Sequence, residues 1–211
     1  NKHGRRLWPF DTGLAALHEE SYYRERFPAK TRLREEGREY PAFPFIIFYD
    51  LNGDGRNEVL FAPQTRDDKG TGSAYLFNDR GTFLWRFDCG TDPLVADKRY
   101  PPGFVINILE IRDVVGDERP EIVVGSHCFM EAPAQLIILD FEKHVLGEYW
   151  NLGQLADYEV MDIGRDGRKE IVVVGTNNEY DQGILFVLDP GNMKGTSPQG
   201  PDYQFAGMEE G

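Results

Sequence analysis

Short apolar runs separated by acidic and glycine-rich turns recur along most of this chain. The runs F-I-I-F-Y before residue 50 and E-V-L-F-A after residue 57 are β-branched and aromatic, which favours strands. We therefore predict an all-β fold made of repeated antiparallel units. The predicted strands are 43–50, 58–64, 74–78 and 82–88 in the first unit, 106–113, 121–127, 135–140 and 145–151 in the second, and 158–163, 170–176 and 184–189 in the third.

An acidic turn joins the first two predicted strands of each unit. The three turns read D-L-N-G-D-G-R-N-E from residue 50, D-V-V-G-D-E-R-P-E from residue 113 and D-I-G-R-D-G-R-K-E from residue 162. Carboxylates stand at positions one, five and nine of each turn, and these residues are Asp50, Asp54, Glu58, Asp113, Asp117, Glu121, Asp162, Asp166 and Glu170. Because like charges this close repel one another, each turn requires a metal ion or a basic neighbour.

The first turn offers oxygen atoms suited to calcium. Calcium takes about six to eight oxygen ligands, and a tight loop with oxygens at alternate positions can wrap one ion. Candidate ligands are the side chains of Asp50, Asn52, Asp54 and Glu58 and the carbonyl of Arg56. An EF-hand loop begins similarly, but its closing glutamate comes at position twelve and helices flank it.

Each turn also has an interpretation without metal, because Asp and Asn side chains bond to their own backbone in such turns. The third turn has Gly164 at a ligand position, where water could substitute, and keeps Asp162, Asp166, Glu170 and the carbonyl of Arg168 as candidate ligands. The second turn has Val115 at that position and Glu118 where glycine is expected. We predict it to be an ion-free hairpin in which Arg119 partly neutralises Asp113, Asp117 and Glu121.

The spacing of the turns indicates a repeat architecture. A period near 50 residues is typical of propellers or solenoids. The motif N-x-x-G-x-x-L-W-x-F-D-x-G occurs at residues 1–13 and again at 78–90, and a weaker copy follows at 140–153. We predict a β-propeller or partial propeller with blades at 43–90, 105–153 and 157–190, the last lacking its fourth strand. The remaining segments are an orphan fourth strand at 1–13, an insertion at 14–42 and a tail at 191–211.

The acidic turns resemble the FG-GAP or VCBS type of calcium-associated propeller repeat, which is also found in integrin alpha-chain heads. The outer strand is similar to that of quinoprotein-type propeller repeats. The first resemblance, which covers about residues 43–190, implies metal-stabilised loops, a propeller and a binding role outside the cell or in the periplasm. Val115, Glu118 and Gly164 depart from the pattern.

Composition and charge limit the classes of molecule that this chain is expected to bind. A formal charge of -13 argues against nucleic acid and anionic membrane surfaces. No apolar run is long enough to span a membrane. Two cysteines, Cys89 and Cys128, are too few for a disulfide framework; they form one bridge or two separate thiols. The proposed compartment, which is extracellular, cell-surface or periplasmic, therefore depends on calcium.

Two function classes remain open. The favoured one is a non-catalytic, calcium-stabilised domain that binds a protein or glycan or builds an assembly, since the four histidines show no metal-ligand spacing. The other is the blade scaffold of a secreted enzyme, such as a polysaccharide lyase or quinoprotein. We also expect Trp85 and Trp150 to occupy equivalent buried positions. The Trp8 strand is expected to pair beside residues 184–189, in a closed ring or by exchange with another copy.

Overall fold

A computed structural model describes residues 7–13, 33–35, 38–40, 46–63, 72–90, 94–95, 98–99, 104–128, 132–200, 204–205 and 207–208. The described strands, in chain order, are β1 (Leu33–Glu35), β2 (Arg38–Tyr40), β3 (Ile46–Tyr49), β4 (Glu58–Phe61), β5 (Ser73–Phe77), β6 (Phe83–Asp88), β7 (Leu94–Val95), β8 (Lys98–Arg99), β9 (Phe104–Arg112), β10 (Glu121–Cys128), β11 (Ala134–Leu139), β12 (Val145–Asn151), β13 (Leu155–Met161), β14 (Glu170–Asn177) and β15 (Gln182–Leu188). A short 3₁₀ helix, Pro190–Asn192, follows.

Three antiparallel sheets contain most of these strands. The first sheet has the order β3-β4-β5-β6, the second β9-β10-β11-β12 and the third β13-β14-β15. Each sheet follows chain order, as expected for strands joined by short turns. The prediction of an all-β fold made of antiparallel units is confirmed. The hairpins β1-β2 and β7-β8 were not predicted, and apart from β1 and β2 the predicted insertion at 14–42 lies outside the described residues.

The three sheets pack against one another in chain order, the first on the second and the second on the third. Strand β3 of the first sheet contacts β9 of the second, and β10 of the second sheet contacts β13 of the third. One apolar core lies between the first and second sheets, and a second core lies between the second and third. All six residues of β11 are buried because alternate side chains enter the two cores.

The first and second sheets share a detail of strand pairing. The register of the third and fourth strands shifts between Leu76 and Phe77 in the first sheet and between Ile138 and Leu139 in the second. The pairings place Trp85 opposite Leu76 and Gly147 opposite Ile138. The structural equivalent of Trp85 is therefore Gly147, and the predicted equivalence of Trp85 with Trp150 is wrong.

The segment after the 3₁₀ helix forms an unpredicted edge of the second sheet. Glu148 and Trp150 donate backbone hydrogen bonds to the carbonyls of Met193 and Gly195, each at 3.0 Å. Trp150 and Thr196 form a parallel bridge. Met193 occupies the space that a Cβ on Gly147 would need, with its own Cβ 2.9 Å away. Met193 of the tail thus lies where the indole of Trp85 lies in the first sheet.

Residues 7–13 lie against the first sheet. Trp8 stacks on Phe77 with ring centroids 5.4 Å apart, and Phe10 contacts Phe77 at 4.8 Å. This segment is not a strand, and β15 pairs with β14 alone among the described strands. Of the two expected arrangements, pairing of the Trp8 strand beside β15 within one chain is therefore not observed, and exchange with another copy stays a prediction.

Cys89 and Cys128 are both buried free thiols, so the structure favours two separate thiols over a bridge. Burial raises the pKa of Cys89 to about 12. Among the described residues, no helix has the length and apolar character needed to cross a membrane.

Candidate metal-binding turns

The first turn, residues 50–58, is held by its own acidic side chains. The two carboxylate oxygens of Asp50 accept hydrogen bonds from the backbone nitrogens of Asp54 at 3.0 Å and Gly55 at 2.8 Å. Asp54 in turn accepts one from the nitrogen of Arg56 at 2.9 Å. Glu58, which is only 2% exposed, accepts one from Leu51 at 2.9 Å and closes the neck of the turn.

The third turn, residues 162–170, repeats these bonds position by position. Asp162 accepts from the backbone nitrogens of Asp166 at 3.1 Å and Gly167 at 2.9 Å. Asp166 accepts from Arg168 at 3.0 Å, and Glu170 accepts from Ile163 at 2.8 Å. The shared pattern of acidic residues therefore reflects a shared local structure, which the metal-free interpretation also predicts.

The backbone of the turns explains their glycines. Positions four and six have positive φ in all three turns, for example 75° and 83° at Gly53 and Gly55. The second turn, residues 113–121, places Glu118 at position six with φ of 68°. A side chain in this left-handed region is strained, whereas glycine is not.

The donor set of the first turn fits calcium chemically. Asn52 directs its side-chain oxygen into the turn, where it accepts from the nitrogen of Asp54 at 2.9 Å. An amide hydrogen bond uses one lone pair of a carboxylate oxygen and leaves others for a cation. Glu58 is the weakest member of the set, since its oxygens already bond to Leu51 at 2.9 Å and to Asn52 at 3.1 Å. Asp50, Asp54 and Asn52 are thus the better candidate ligands.

The second turn brings its carboxylates closest together. Ligand oxygens of Asp113, Asp117 and Glu121 lie within 4.8 Å of one another. Among the described residues, the acidic trios of the first and third turns do not form such a group. Of the three turns, the one predicted to be ion-free therefore has the tightest acidic cluster.

The cation beside that cluster comes from the third turn. The Nζ atom of Lys169 lies 2.8 Å from Oδ2 of Asp113 and 2.8 Å from its carbonyl oxygen. The prediction assigned this role to Arg119, and the structure assigns it to Lys169. Although partial burial acts in the opposite direction, hydrogen bonds from Lys169 and from the backbone of Gly116 hold the pKa of Asp113 below its usual value.

The surroundings of Glu121 disfavour its charged form, in contrast to those of Asp113. Burial raises the pKa of Glu121, and repulsion from Asp117 and Asp113 adds to the effect. Backbone hydrogen bonds from Val114 and Val115 act against the shift. The second turn therefore stabilises the anionic form of Asp113 and destabilises the anionic form of Glu121.

A second group of possible ligands was not predicted from the sequence. Asp140, Glu142 and His144 lie in the turn between β11 and β12, with Nδ1 of His144 2.7 Å from Oδ2 of Asp140. The alternation D-x-E-x-H is visible in the sequence, but Asp140 also accepts from the backbone nitrogen of His144 at 2.7 Å. Asn78 makes the same kind of bond to Thr82 in the first sheet, so a role in forming the turn explains Asp140.

Polar side chains also tie the second and third sheets together. The hydroxyl of Tyr158 donates to Glu110 at 2.5 Å, and Arg112 bonds to Glu159 at 2.6 Å. Burial first, and then the hydrogen bond to Glu110, raise the pKa of Tyr158. These residues were not singled out in the sequence because β9 and β13 are far apart along it.

The described histidines are not close partners of one another. His127 is near the end of β10 that pairs with the start of β11, whereas His144 follows the opposite end of β11. No protein-family model, curated protein or solved structure matches this chain.

Proposed function

We propose that this chain is a non-catalytic domain of the β-propeller type whose acidic turns are stabilised by calcium. Its role is to bind a protein or glycan, or to build an assembly, as part of a secreted or surface protein. The observation that carries the proposal is a similar acidic turn in each of three consecutive sheets that pack face to face, with the bonds of the first turn repeated in the third and partly repeated in the second. Such repetition is typical of blades arranged around an axis.

Calcium is proposed for the first turn, and more weakly for the third. The first turn has the additional side-chain oxygen of Asn52, whereas the third has Gly164 at that position. In the second turn the ammonium of Lys169 takes the place of a metal as the neutralising charge. Weak sites in extracellular modules have dissociation constants of about 10⁻⁴ to 10⁻³ M, which suits a compartment rich in calcium.

The test is the thermal unfolding of the chain with calcium and with chelator. A site of this kind adds about 1.4 kcal/mol of stability when calcium is at ten times its dissociation constant. Asp54→Asn keeps an oxygen that can accept the bond from Arg56 but removes a charge, so it should reduce the calcium effect. The matched control is Asp181→Asn, an exposed position outside the three turns, and it should leave the effect unchanged.

Calorimetric titration with calcium then counts the sites. The proposal expects heat of binding in the parent chain and a weaker signal in the Asp54 variant alone. A melting temperature that is the same in calcium and in chelator, together with no heat of binding, would refute the calcium site.

A further inference from the structure

The outer strand of the first sheet contacts the turn between the last two strands of the second sheet. Trp85, in the outer strand of the first sheet, donates a hydrogen bond of 2.7 Å to the carbonyl of Phe141, in the β11–β12 turn of the second sheet. Trp8 lies in the same relation to the first sheet, because it covers Gly81 in the β5–β6 turn and stacks on Phe77. Residues 7–13 therefore occupy, against the first sheet, the position of an outer strand belonging to a preceding sheet.

The far face of the third sheet, which points away from the second sheet, has exposed apolar side chains. Strand pairing shows that Val187 in the third sheet corresponds to Leu76 in the first sheet and to Ile138 in the second. Leu76 and Ile138 are 0% exposed because the next sheet covers them, whereas Val187 is 47% exposed. Leu185, two residues earlier on the same face, is 68% exposed. The third sheet thus has the apolar face of a blade with a neighbour, but the face is open.

The outer edge of the third sheet is formed by β15. Strand β15 has β14 as its partner, and among the described strands nothing pairs with its other side. The segment that follows it, residues 193–197, pairs with β12 of the second sheet. The third sheet therefore has an open outer edge as well as an open face.

We propose that two copies of this chain close a ring of six sheets, in which residues 7–13 of each copy form the outer strand of the other copy's third sheet. A second copy fits because it presents both complements: an outer-strand segment already seated on its first sheet, and exposed apolar side chains on the same face of that sheet, where Ile46 and Phe48 are 46% and 60% exposed. The contact continues the two sheet-to-sheet interfaces within the chain, using the same faces. The inference rests on the propeller-type architecture of the proposed function.

The number of sheets supports this arrangement. The three described sheets of each copy would together form a ring of six, within the usual four to eight blades. Each contact joins the end of one copy to the start of the other, and two such contacts related by a twofold axis form a closed dimer. Closure also removes the open edge of β15, which would otherwise invite uncontrolled strand addition.

The test is the mass of the chain in solution, measured by sedimentation equilibrium. The parent should have twice the mass of one chain, and the double variant Leu185→Lys with Val187→Lys should have half the mass of the parent. Both side chains are exposed, so the variant should keep its fold, which circular dichroism verifies. The matched control replaces Val145 and Leu146, 50% and 44% exposed on β12, by lysine and should remain dimeric.

Three results would overturn the ring: a monomeric parent, a double variant that stays dimeric, or a mass that grows steadily with concentration. Mixing two variants provides a second measurement. The Trp8→Ala chain keeps its third sheet unchanged, and the double variant keeps its residues 7–13 unchanged, so the two chains together can form one intact contact. Their mixture should contain dimers that neither chain forms alone. Measuring mass in calcium and in chelator separates the two proposals: a dimer whose melting ignores calcium contradicts the metal site, and a calcium-stabilised monomer contradicts the ring.

Discussion

The ammonium nitrogen of Lys169 lies 2.8 Å from Oδ2 of Asp113, so a side chain of the third turn is bonded to the first residue of the second turn. The same nitrogen reaches the Asp113 carbonyl at 2.8 Å. The bond crosses the contact between the second and third sheets. It therefore offsets part of the charge of an acidic cluster and also links two sheets.

Replacing Lys169 by methionine should destabilise the chain at pH 7. The pair is about one-third exposed, so we expect a loss of about 1 kcal/mol in the free energy of unfolding. Urea denaturation of the parent and the variant measures this difference. Arg168→Met, which removes the neighbouring exposed cation, is the matched control and should have a smaller effect.

The loss should depend on pH in a defined direction. The folded pKa of Asp113 is lowered, so its contribution is present above the unfolded pKa and is lost as pH falls through the folded value. The difference between the parent and Lys169→Met should therefore shrink in acid to what the carbonyl bond contributes. An equally large difference at pH 7 and at pH 2 would contradict this account.

Glu118 offers a test of backbone strain. Its φ of 68° lies in the left-handed region, which costs a side chain roughly 1 to 2 kcal/mol, whereas glycine loses about 0.5 to 1 kcal/mol through its freedom in the unfolded state. Glu118→Gly should therefore stabilise the chain by about 0.5 to 1 kcal/mol. The reverse change, Gly55→Ala at φ of 83°, should destabilise it. Denaturant titration of both variants would contradict the strain argument if Glu118→Gly proved the less stable.

Local pattern was sufficient to predict most strands. The strand predicted at 145–151 is observed as Val145–Asn151, and the one predicted at 170–176 extends to Asn177. The first strand of the third sheet begins earlier than predicted, at Leu155. Strand ends depend on pairing with neighbours, which the run of apolar residues does not reveal.

Long-range contacts account for the errors. Arg119 was chosen as the neutralising cation because it is in the turn, whereas Lys169 is 56 residues from Asp113. The shared tryptophan suggested that Trp85 matches Trp150, but aligning the preceding turns would have matched Trp85 with Gly147. The segment 193–197 lies within residues 191–201, which are rich in the glycine and proline typical of loops, and it pairs because β12 offers an edge.

The two tryptophans should therefore behave differently. Trp150 is 3% exposed and packs on Phe104 and Phe205 at 5.9 and 5.8 Å, whereas Trp85 is half-buried. Trp150→Ala should cost about 3 to 5 kcal/mol. Trp85→Phe, which removes mainly the hydrogen bond to Phe141, should cost about 1 kcal/mol. Acrylamide quenching of chains that retain one tryptophan each should be weaker for Trp150, and equal quenching would argue against this packing.

Gly147 should be required for the tail to pair with the second sheet. A Cβ at this position would lie 2.9 Å from Cβ of Met193 and 3.3 Å from its carbonyl oxygen, which accepts the bond from Glu148. Gly147→Ala should therefore displace the tail and cost about 1 to 3 kcal/mol, the usual range for overpacking. Hydrogen exchange should show faster exchange at the amides of Glu148 and Trp150, because both bond to the tail. Gly183→Ala is the matched control, since a Cβ there meets nothing closer than 3.9 Å. Unchanged protection of these amides in Gly147→Ala would mean that the tail is held by other contacts.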